Sequence, residues 1–89
     1  MKLNIYAIKD TTVGSFMNPF YLQNDNTAIR EFGNVIKYAP TENSVRRNAK
    51  DMQLFKLGEF DEETGEIRSE VNYLVSGTNF VEEKKESEE

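Results

Sequence analysis

The stretch LFKLGEFDEETGEI, Leu54 to Ile67, commits the second half of the chain to a β-hairpin. An apolar run that ends at Phe60 is followed by polar residues closing in Thr64-Gly65, and Ile67 then resumes the apolar alternation. That spacing fits a short hairpin loop in which Gly65 supplies the positive φ that such a loop needs before the return strand. The turn is strongly acidic, with Glu59, Asp61, Glu62, Glu63 and Glu66 inside eight positions. A calcium loop of the EF-hand type needs oxygen ligands spread over about twelve positions with a glycine at the sixth, and that pattern is absent. The acidity suits a solvated turn, or a weak cation or protein-contact site.

The hairpin has to find its core in a chain of 89 residues, enough for one domain and one modest core. A domain of this size buries only about 60% of its unfolded surface, so a partner or a second copy, most simply in a homodimer, is expected to add burial. The domain is expected over residues 1–81. The chain has no cysteine and no histidine. This removes disulfides, thiolate nucleophiles, the usual zinc ligand sets and the common general base of Ser-His or Cys-His chemistry. Ser15, Ser44, Ser69 and Ser76 therefore lack a histidine base, and no nucleophile elbow surrounds them. Glu59 and Glu66, read as facing one another across the hairpin, would divide acid and base roles only if burial separated their pKa values, and a turn is a poor place for that. No enzymatic activity, metal site or cofactor is expected. MKLNIYAIKD at the start has neither the apolar core of a signal peptide nor the length of a membrane span, so a soluble intracellular protein is expected.

The remaining elements follow from periodicity. KLNIYAIKD alternates Leu3, Ile5 and Ala7 with Asn4, Tyr6 and Ile8, both sets partly apolar, which suits a central strand. FMNPFYLQ reads as a second extended segment, at an edge or broken, because Pro19 cannot donate to a ladder. Asn24 or Asp25 caps a helix over Asn26 to Ala39, in which Ala28, Ile29, Phe32, Val35, Ile36 and Ala39 recur at helical spacing and Pro40 stops it. Gly33 costs that helix about 1 kcal/mol relative to alanine and suggests a close approach to the sheet. TENSVRRNAKD reads as a loop or one helical turn capped by Asn43 or Ser44, and SGTNF as a turn with a short last strand. The fold class is α+β, roughly β-β-α-β-β: a small antiparallel sheet of four to five strands with one main helix on one face. Residues 82–89, in VEEKKESEE, are too polar to bury and are expected to form a disordered acidic tail.

Charge divides along the chain. Residues 1–58 hold eight Lys and Arg against five Asp and Glu, net +3, whereas residues 59–89 hold three against eleven, net −8. The basic part contains the most suggestive constellation: Lys37, Tyr38, Arg46, Arg47 and Lys50 at the helix end and in the loop beyond it. Mobile Arg and Lys reach phosphates without sequence preference, and exposed aromatic rings offer faces on which unpaired bases stack. Tyr6 and Tyr21, with Phe16 and Phe20, are candidates to extend such a surface. The plainer reading is that most aromatics of so small a domain are core and that an Arg-Arg loop is simply solvated.

Taken in order, NPF (18–20), ND (24–25), AIREF (28–32), LFKLGEFDEETGEI (54–67) and YLVSG (73–77) resemble the small non-structural protein of gokushovirus-type microviruses, tailless phages with single-stranded DNA genomes. The resemblance covers roughly residues 3–77 and leaves out the acidic end. It implies a DNA-binding, non-virion protein of the host bacterial cytoplasm, acting when the phage turns from copying duplex DNA to making and packaging single strands. It assigns no role to any individual residue. Two functions follow: a single-stranded DNA binder that uses a basic and aromatic face of residues 1–58, or an adaptor that recruits replication or procapsid proteins through its acidic C-terminal half.

Overall fold

The structure is a computed structural model in which residues 2–81 are described; the expected tail at 82–89 lies outside them. Five antiparallel strands form one sheet: β1 (Lys2–Asp10), β2 (Ser15–Phe16), β3 (Phe20–Leu22), β4 (Met52–Asp61) and β5 (Ile67–Ser76). The order is β2-β1-β4-β5, with β3 on the same edge of β1 as β2. Pro19 has the expected effect: the second extended segment is split into two short strands on either side of it, both at an edge. β1 is central, as its two partly apolar faces suggest.

The main helix, α1 (Asp25–Tyr38), is capped by Asn24, whose side chain accepts a hydrogen bond from the Thr27 amide at 2.8 Å. It therefore starts one residue before the sequence reading. Its apolar stripe of Ala28, Phe32 and Ile36 lies on Tyr6, Met52 and Leu54 of the sheet, and Val45 and Ala49 complete the core. The loop after it does form one helical turn, α2 (Ser44–Arg47), capped by Asn43, whose side chain accepts from the amides of Val45 and Arg46.

The hairpin closes as its sequence dictates. Asp61 and Glu66 are joined by the bond from the Asp61 amide to the Glu66 carbonyl at 2.9 Å, and Gly65 has φ +80°. The Asp61 carboxylate accepts from the Glu63 amide at 2.9 Å, a local turn contact that holds its pKa below the usual carboxylate range.

Three sequence readings are corrected. SGTNF forms no further strand: Ser76 ends β5, and Gly77–Phe80 is a 3-10 turn that folds back against α1. Gly33 makes its close approach to that turn rather than to the sheet, since a Cβ there would stand 2.6 Å from Phe80 Cε1. Glu59 does not face Glu66; it pairs in register with Arg68 and forms an ion pair with it at 2.9 Å, which removes the carboxylate pair altogether.

Candidate nucleic-acid interface

Side chains alternate across a strand, so the register of the sheet fixes which residues share each face. Tyr6, Ile8, Leu22 and Leu54 point to the helix. The opposite face collects the residues between them: Leu3, Ile5, Ala7 and Lys9 of β1, paired with Phe60, Gly58, Phe55 and Gln53 of β4. Lys9 also pairs with Phe16 and Ile5 with Tyr21, while Phe55 and Phe60 pair with Tyr73 and Ile67. Among the described residues no helix covers this second face.

Five aromatic rings therefore stand on one open surface, in two groups. Phe16, Phe55 and Tyr73 run across the sheet from β2 to β5, with ring centroids 5.2 and 5.8 Å apart. Tyr21 and Phe60 form the second group, 6.1 Å apart, nearer the hairpin turn. Tyr73 is 54% exposed, Tyr21 49% and Phe16 41%. Ile5 and Ala7 lie between the groups and are buried although the helix is on the other side, so these rings supply their cover.

The electrostatics of this face set it apart from the rest of the chain. Lys9 is its one charged strand residue, with Nζ 5.6 Å from the Phe16 centroid. The strand carboxylates Asp10, Glu59, Asp61 and Glu70 all fall on the other side. A chain of net charge −5 thus presents a broad aromatic surface free of negative strand residues.

The residues singled out from sequence separate into three places. Tyr21 is on the aromatic face. Lys37, Tyr38 and Arg46 border one hollow at the end of α1, and Arg46, Arg47 and Lys50 border the next. Tyr38 is the most exposed aromatic there, at 75%. Arg46 is partly occupied, donating from Nη1 to the Ala39 carbonyl at the end of α1, and Arg47 donates to the Glu42 carbonyl at 3.2 Å. Lys50 precedes β4 at the end of the sheet where Lys9 and Phe16 lie, since the neighbouring Asp51 carbonyl accepts from the Thr11 amide at 2.9 Å.

Tyr6 is a correction. It is fully buried on the helix side, where its hydroxyl donates to Asp25 Oδ1 at 2.6 Å, so it cannot stack on a base. Burial and that bond push its pKa well above the ordinary tyrosine value. Phe20 stacks on Tyr6 and belongs to the core as well. Phe55, Phe60 and Tyr73, which sequence reasoning did not single out, stand on the open face in their place. The signal was the alternation of Ile67, Val71 and Tyr73 with Arg68, Glu70 and Asn72, but an apolar strand face is normally read as core.

No helix among the described residues is long and apolar enough to cross a membrane. No curated protein and no solved structure matches the chain significantly. The family model described as Phage ORF5 protein matches residues 3–80, nearly the whole described domain, and the chain accordingly belongs to that phage protein family.

Proposed function

We propose that this phage protein binds single-stranded DNA without sequence preference, laying unpaired bases on the open aromatic face of its sheet. The observation that carries the reading is the grouping of Phe16, Phe55, Tyr73, Tyr21 and Phe60 on one face that, among the described residues, no helix covers and on which Lys9 is the only charged strand residue. Base–aromatic stacking contributes about 1–3 kcal/mol per base and tolerates any sequence, because every base has a π-face. Duplex DNA hides those faces. The cluster of Arg46, Arg47 and Lys50, with Lys37 and Tyr38 beside it, supplies positive charge for phosphates leaving the platform at the Lys9 end.

The resemblance to the non-structural protein of gokushovirus-type microviruses gives this binding a setting. In the host cytoplasm, coating of nascent single strands would favour the passage from duplex replication to strand synthesis and packaging. No step of bond-making is needed for that role.

A second reading has one observation in its favour: the turn from Asp61 to Glu66 concentrates acidic residues at the tip of the long β4–β5 hairpin, away from the core. There it could hold a replication or procapsid protein. Fluorescence anisotropy of a labelled oligothymidine at two salt concentrations, with a duplex control, separates the two. Saturable, salt-weakened binding that prefers the single strand supports the first reading. Absence of binding at low salt overturns it and leaves the acidic tip as the functional surface.

A further inference from the structure

β5 is the outer strand of the sheet, and among the described residues no strand pairs with its free edge. It is ten residues long, and its first seven positions are exposed. Exposed edges of this length are templates for pairing with another chain, and proteins usually blunt them with proline, inward-pointing charge or a cover. β5 has no proline. Its charges also do something other than repel.

Arg68, Glu70 and Asn72 lie on the helix side of β5: Arg68 binds Glu59 there, and Asn72 Nδ2 donates to Glu70. Ile67, Ser69, Val71 and Tyr73 lie on the aromatic side, with Ile67 and Val71 more than 60% exposed. Suppose a second copy of β5 is placed antiparallel along the free edge with Ser69 opposite Ser69. Arg68 then faces Glu70 of the second copy, Glu70 faces its Arg68, and Glu66 and Asn72 face one another in both directions. On the aromatic side Ile67 faces Val71 and Val71 faces Ile67. From Glu66 to Asn72 every charged residue meets an opposite charge or an amide and each apolar one meets an apolar one, while Tyr73 falls opposite Gly65 at the turn.

Neighbouring registers that keep the two faces continuous lose this. Sliding by one residue on each strand in one direction sets Glu70 against Glu70; in the other it sets Arg68 against Arg68. Opposite charges directly across a ladder stabilise an antiparallel pair and like charges destabilise it, so the charge pattern selects one register. A two-fold axis through Ser69 makes the contact closed and self-complementary, the commonest arrangement of soluble homo-oligomers.

We infer that the chain forms a symmetric dimer by pairing β5 with β5 of a second copy about Ser69, joining two sheets into one. The aromatic faces of the two copies become continuous across the joint. Arg68, 70% exposed and bound to Glu59 on one side only, is free to bridge Glu59 and the second copy's Glu70. The pairing stands without any nucleic acid, so it can fail or hold independently of the proposed function.

Sedimentation equilibrium of the full chain without DNA tests it. The expected mass is twice the 10.3 kDa of one chain. Arg68→Glu sets two glutamates opposite one another on each side of the axis, Glu70→Arg does the same with arginines, and each weakens the dimer about tenfold or more. The double variant Arg68→Glu/Glu70→Arg, made with both single reversals in a Glu59→Gln background so that no carboxylate of the same copy faces position 68, restores the pairing with the charges exchanged. Both sites are exposed, and far-UV circular dichroism checks that each variant keeps its fold. A monomer across the concentration series overturns the inference. So does a dimer that the single reversals leave intact, or single reversals that the double variant fails to rescue.

Discussion

The Tyr6 hydroxyl donates to Asp25 Oδ1 at 2.6 Å, and the phenol oxygen in turn accepts from Asn4 Nδ2 at 2.9 Å, so one buried phenol fastens the central strand to the first turn of the helix. Its ring is packed among Phe20, Ala28 and Leu54. A buried hydroxyl needs such partners, since an unpaired one costs about 1–3 kcal/mol. The aromatic that the sequence offered for stacking is thus a structural fastener.

That fastener makes stability sensitive to alkaline pH. Because folding raises the Tyr6 pKa above its ordinary value, its contribution is complete below the unfolded value near 10 and is lost as pH climbs beyond it. Tyr6→Phe should be less stable at neutral pH by about 1–3 kcal/mol, through the lost bond and the unpaired Asp25. It should also lose less stability than the wild type between neutrality and strongly alkaline pH. Melting temperatures of both proteins over that range provide the check, and parallel curves would refute the linkage.

Tyr73 and Tyr21 are half exposed, so removing them should touch binding more than folding. Each alanine variant should weaken oligothymidine binding by roughly fivefold to a hundredfold, the equivalent of one lost stacking contact. Melting temperatures should fall only modestly, because each half-exposed ring also gives part of the cover over Ile5 and Ala7. Unchanged affinity in both variants would take the aromatic face out of the DNA site.

Arg46 and Arg47 are adjacent in sequence but should behave differently. Arg46→Ala removes a donor from the Ala39 carbonyl and should cost about 1 kcal/mol in stability by denaturant titration. Arg47→Ala combined with Lys50→Ala should leave stability alone and reduce the slope of log affinity against log salt by about one to two units. A slope identical to the wild type would exclude this cluster from phosphate contact.

Phe32 is almost fully buried between the helix and the Gly77–Phe80 turn, with its ring 5.8 Å from that of Phe80. Phe32→Ala should cost roughly 3–5 kcal/mol, from lost burial and the cavity left behind. Much of a small domain's stability is of that order. Thermal unfolding measures it, and a shift of only a degree or two would mean that the helix packs through other residues.

The alternation of KLNIYAIKD, the Asn24 cap with its helical stripe, and the hairpin that ends in Thr64-Gly65 each wrote a local rule into a few adjacent residues, and those elements formed where the rules place them. Pro19 likewise broke its strand by removing one amide from the ladder. Family membership was also legible in part, since an ordered series of short blocks survives in the chain itself. The assignment of faces was different. Tyr6 and Phe55 are both aromatic residues of central strands, and nothing near either one says which side the helix will cover. That depends on the pairing of β1 with β4, the extra residue where the register shifts near Leu57, and the seat of α1, all contacts between segments far apart in the chain. Local chemistry determined the elements. Only the packing of the helix on one side of the sheet decided that Tyr6 would be core and that Phe55, Phe60 and Tyr73 would form an open surface.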